Sequence, residues 1–80
     1  MQRTGLTSTP NTLAEAHEAL MKIRPARQAS LTAWRNYRLL AARVYAEMAD
    51  VDRFHHHEAL YWAQLEREEA DTIARKMSAG

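Results

Sequence analysis

Trp34, Tyr37, Ala41, Val44, Met48 and Val51 follow one another at steps of three, four, three, four and three residues. That spacing keeps six side chains on one stripe of a helix and sustains it for over two heptads. Leu40 and Tyr45 widen the stripe, while Arg35, Arg38 and Arg43 lie mostly off it. No strand tolerates such a period, because alternate residues of a strand point to opposite faces. The chain is therefore expected to be all-α, with this helix as the core of a hairpin or bundle.

The other segments extend the same reading. Thr12 and Glu15 have the spacing of a capping box, and Leu13, Ala16, Leu20 and Ile23 repeat at helical intervals. A first helix is expected over about 13–23, stopped by Pro25 because the residue before a proline avoids the α region. Ser30 is a good N-cap, which places the second helix at about 31–50. Asp50-Val51-Asp52-Arg53 is the expected turn, since aspartate favours caps over helix interiors. No Gly or Pro marks that turn, so a continuous helix forming an elongated dimeric coiled coil is the alternative. The third helix is expected over about 54–77, with Ala59, Trp62, Ala63, Glu66, Ala70, Ile73, Ala74 and Met77 as its buried stripe and Phe54 and Leu65 flanking it. The architecture is then a three-helix bundle or a helical hairpin with the first helix laid across it. Residues 1–11 are expected to be a disordered tail, residues 12–77 one domain, and residues 78–80 a frayed end.

Composition narrows the function classes. With no cysteine among 80 residues, disulfides, thiolate metal sites and thiol chemistry are excluded. Residues 1–10 lack the apolar core of a secretory signal, and no apolar run approaches the roughly 18 residues a membrane span needs. A cytoplasmic location is the expectation. A core this small is thin, which makes self-association, a homodimer above all, the expected state. The near-neutral net charge of +1 conceals a polarity. Up to Arg43 the basic residues prevail, and from Val44 onward the acidic ones do. Pairing of the two halves, within one chain or between two, is the simplest consequence. Nucleic-acid binding through Arg24, Arg27, Arg35 and Arg38 is the sharper alternative.

His55-His56-His57-Glu58-Ala59-Leu60-Tyr61-Trp62-Ala63 is the passage richest in chemistry. Successive helix positions turn by about 100°, so the three imidazoles cannot share one point. His55 can share a face with Glu58, and His57 with Tyr61. In a first helical turn the macrodipole would disfavour imidazolium and keep the rings neutral. His55, His57 and Glu58, with His17 or with Asp50 or Asp52, are the candidate ligands for Zn²⁺ or a similar ion. The competing reading has one His hydrogen-bonded inside and the others solvated. Nothing resembles a nucleophile elbow or a Gly-rich loop, so catalysis is not expected and no catalytic residue is assigned.

Tyr61 and Trp62 are adjacent, so only one ring can enter the core and the other belongs at an edge, as aromatic rings at protein interfaces do. With Trp34 and Tyr37 they are the candidate anchors of a partner-binding surface, with Arg35 and Arg38 steering an acidic partner. The strings LAEAHEALMKIRP, VYAEMADVDR and HHHEALYWAQLERE, spanning most of Leu13 to Glu69, resemble a group of short uncharacterised all-helical actinobacterial proteins with an HHHEALYWA signature. The resemblance implies a cytoplasmic actinobacterial protein and transfers no activity. A dimeric adaptor or regulatory protein is the expected function, with metal binding and nucleic-acid binding as alternatives.

Overall fold

A computed structural model describes residues 9–79. They form α1 (Leu13–Lys22), α2 (Leu31–Val51), a single 3-10 turn (Arg53–His55) and α3 (His56–Ala79), with no strand among the described residues. α2 and α3 pack along their lengths as an antiparallel hairpin, and α1 lies across it. The tail expected over residues 1–11 falls largely outside the described residues; Pro10, within it, is buried. Gly80, at the expected frayed end, also lies outside them.

Local chemistry explains each boundary. Thr12 Oγ1 accepts the Glu15 N–H at 3.1 Å, and Glu15 Oε1 accepts the N–H of Asn11 at 2.8 Å. The capping box thus closes one residue earlier than the usual return bond to the cap itself. Ser30 Oγ caps α2 by accepting the Ala33 N–H at 3.1 Å. α2 stops where Asp52 adopts φ −102° and ψ 82°, outside the helical region. The chain therefore reverses there, which corrects the alternative of a continuous helix. No glycine is needed, because the polar groups freed by the break find partners around Asp52.

The hairpin core is asymmetric. α2 supplies bulk through Tyr37, Val44, Tyr45 and Met48, whereas the buried apolar residues of α3 are Ala59, Ala63 and Ala70. Small side chains on α3 let the helix axes approach and leave room for the larger ones of α2. Leu13, Ala16 and Leu20 of α1 complete the cluster. Each buried leucine contributes about 2 kcal/mol of apolar transfer free energy, which is what holds so short a helix in place. Three expected core positions are instead exposed, Met77 near the end of α3 among them. Ile23 follows the end of α1, and Val51 sits where α2 gives way to the turn.

Candidate functional site

Asp52 organises the turn end of the molecule. Its Oδ2 accepts the N–H of Leu13, the first residue of α1, at 2.9 Å and stands 2.9 Å from His55 Nδ1. One carboxylate thereby satisfies an orphan donor at the start of α1 and fixes the imidazole of the 3-10 turn. The backbone hydrogen bond from Leu13, then the one to His55, holds the Asp52 carboxyl below its ordinary value. The hydrogen bond to Asp52 pushes the His55 imidazolium the other way, above its ordinary value. The shift runs opposite to the one expected from the helix dipole, because a carboxylate adjoins His55 and because His55 precedes α3 rather than lying in its first turn.

The three consecutive histidines take different partners, although the His56 and His57 rings meet edge-on at 5.2 Å between centres. His55 faces Asp52, His56 Nδ1 lies 2.7 Å from the Ala49 carbonyl oxygen, and His57 is exposed. His55, Glu58 and Asp52 meet His17 of α1 around an open groove of about 430 Å³, whose other walls are Thr12, Leu13 and Ala14. His57 and Asp50, the other candidate ligands, are not among the lining residues. Among the described residues no three His, Asp or Glu side chains are placed to hold one metal ion. The structure brings four of the six candidate ligands, His17, Asp52, His55 and Glu58, to one groove without converging them.

A second cluster joins the three helices. His17 Nδ1 of α1 lies 2.7 Å from the Tyr45 hydroxyl of α2, and the imidazole meets Trp62 of α3 edge-on at 5.4 Å between ring centres. Tyr45 and Trp62 are 6.0 Å apart. Burial, seconded by the Glu66 charge, pushes the Tyr45 phenol up to about 12, so it stays a neutral hydrogen-bonding group at any physiological pH. Of the adjacent pair, Trp62 packs on the core and Tyr61 remains 61% exposed.

The far end is built from Trp34, Tyr37 and Arg38. Trp34 Nε1 donates to the Ala26 carbonyl at 3.1 Å, which ties down the connection between α1 and α2. The Tyr37 hydroxyl donates to the Leu20 carbonyl at 3.1 Å, which also accepts the Ile23 N–H at the end of α1. Desolvation raises the Tyr37 phenol above its ordinary value. The guanidinium groups of Arg24 and Arg38 lie over the Trp34 ring at 5.2 and 5.3 Å. Arg38 Nη1 also donates to Glu66 Oε1 at 2.9 Å, in a pair that crosses from α2 to α3. This explains the glutamate within the buried stripe. The Arg38 Nε is buried without a partner among the described residues.

Of the six side chains expected to bind a partner, four make contacts inside the chain: Trp34, Tyr37, Arg38 and Trp62. Tyr61 is exposed and Arg35 half-buried. The largest exposed apolar group is one the sequence reading placed beside the core, Phe54, which is 99% exposed. Extended back from α3 at about 100° per residue, position 54 falls about opposite buried Ala63, on the outer side of the hairpin. Val51, Leu60 and Tyr61, all about half exposed or more, occupy the same end of the hairpin. No helix among the described residues is long and apolar enough to cross a membrane. No family model, no curated protein and no solved structure matches the chain.

Proposed function

We propose that the chain is a small helical protein–protein interaction module, a cytoplasmic adaptor or regulator that works as a homodimer and carries a further partner. One observation supports this above the others: Phe54 is 99% exposed at the tip of the hairpin, with Tyr61, Val51 and Leu60 exposed nearby. A phenylalanine bare to water forfeits about 2 kcal/mol of available transfer free energy, which contact with a partner recovers. The aromatic residues Trp34, Tyr37 and Trp62 set the shape of the module, and Tyr61 joins Phe54 in its contact surface. Arg24 and Arg27 leave positive charge at the opposite end, which steers acidic surfaces toward it.

The test is a photo-crosslinking amino acid in place of Phe54, introduced in the native cell. Discrete adducts are expected from position 54 and none from the exposed position Glu69. An absence of adducts at position 54 would contradict the reading.

Metal binding at the groove is the second reading, supported by the meeting of His17, Asp52, His55 and Glu58 there. His17 and His55 each have one ring nitrogen tied to an oxygen, the arrangement that orients imidazole ligands in metal sites. A thermal shift on adding Zn²⁺, abolished by His55→Ala, is its expected signature; no shift contradicts it.

A further inference from the structure

The hairpin has two broad faces, and α1 occupies only one. Its side is fixed by two contacts: Trp62 of α3 meets His17, and Tyr37 of α2 meets Leu20. With about 100° between successive helix positions, buried Ala63 and Tyr45 mark the directions in which α3 and α2 face each other. Trp62 and Tyr37 then fall about 80–100° to one side. Leu60, Gln64, Arg67 and Asp71 of α3, and Arg35, Leu39, Ala42 and Ala46 of α2, fall about 40–120° to the other side. In an antiparallel pair these two sets share a single face.

That face repeats the heptad logic of the core. Its α2 positions are spaced four, three and four, and so are its α3 positions. Leu39 is 37% and Leu60 45% exposed, the two large apolar side chains of this otherwise polar and small-residue face. Ala42 is already buried within the chain and Ala46 partly so, and neither puts bulk in the way of another helix. α2 alone spans about 31 Å, so a two-helix face of this length has the footprint of a stable interface.

Charge selects the occupant. Arg38 pairs with Glu66 across the hairpin, and Arg35 and Asp71 lie about one turn farther from the turn at residues 52–55. Neither makes an ion pair among the described residues, although they sit at one level on one face. A twofold axis parallel to the helices sets Arg35 of each chain beside Asp71 of the other.

We infer that a second copy of this chain docks its α2–α3 face on this one, forming a four-helix bundle with both α1 helices outside. The inference rests on the self-association proposed above and adds its surface and symmetry. It leaves both Phe54 rings free, side by side at one end of the dimer, for the further partner.

The test uses two full-length variants, Arg35→Glu and Asp71→Arg, with helicity checked by circular dichroism. Each alone places like charges together at two symmetric contacts and is expected to weaken dimerisation at least about tenfold. Mixed in equal amounts they pair Glu with Arg and Asp with Arg, and dimerisation returns to the wild-type level. Leu60→Glu is expected to leave a folded monomer. A mixture as weak as its components, or single variants as tight as wild type, overturns the inference. If Phe54→Ser abolishes dimerisation while the charge variants do not, the interaction-module reading stands and this face is wrong. A wild type monomeric at every concentration removes both.

Discussion

Asp52 Oδ2 accepts the N–H of Leu13 at 2.9 Å across 39 positions of sequence, so the α2–α3 turn caps the start of α1. Asp52→Ala removes that acceptor and the partner of His55 together. Amide exchange in α1 is expected to accelerate while the amides of the hairpin keep their protection. Uniform acceleration along the chain would show that α1 and the hairpin open only together.

The same carboxylate gives the docking of α1 a pH window. Asp52 is held below its ordinary 3.8, so its contribution is present above that value and fades as pH falls through the folded value. His55 is held above its ordinary 6.5, so its contribution is complete below that value and is lost as pH rises through the folded one. The thermal midpoint is expected to be highest between about 4 and 6.5. Asp52→Asn should flatten both limbs; an unchanged profile would mean that other groups set it.

His17 and Tyr45 join α1 to α2 through one hydrogen bond in a part-buried setting. Tyr45→Phe keeps the ring and its packing on Trp62 but removes the hydroxyl, and is expected to cost about 1 kcal/mol in chemical denaturation. His17→Ala on the Tyr45→Phe background should add less than it does on wild type, because the shared bond is already gone. Full additivity would count against the bond.

Arg38 and Glu66 form the one charged pair spanning the hairpin among the described residues, with side chains 20% and 11% exposed. Glu66→Ala strands the guanidinium beneath Trp34 and is expected to destabilise by about 2 kcal/mol, less than for a fully buried pair because water reaches both groups. The double change Arg38→Met with Glu66→Leu should recover most of that loss. Failure to recover would mean that the pair adds more than the desolvation it costs.

How far these features were legible depended on sequence distance. The capping residues Thr12 and Ser30, the α2 seam and the choice of Trp62 over Tyr61 for the core all follow from local spacing. The Asp52–Leu13 bond does not, because no periodicity links residues 39 positions apart. Glu66 was readable as a stripe position, but its partner Arg38 looked like a free surface charge until the hairpin register was known. Phe54 was misplaced on its apolar character alone: nine positions before buried Ala63, at about 100° each, set it about opposite the core stripe of α3. The groove residues His17, His55 and Glu58 were each identifiable. That Asp52 binds His55 on its rim, leaving His57 outside, needed the folded chain.

Mass in solution tests the central claim most directly. Light scattering on the full chain, from micromolar to millimolar concentration, should reach twice the 9.2 kDa of one chain. A mass of 9.2 kDa that holds across the whole range would contradict self-association and the bundle built on it.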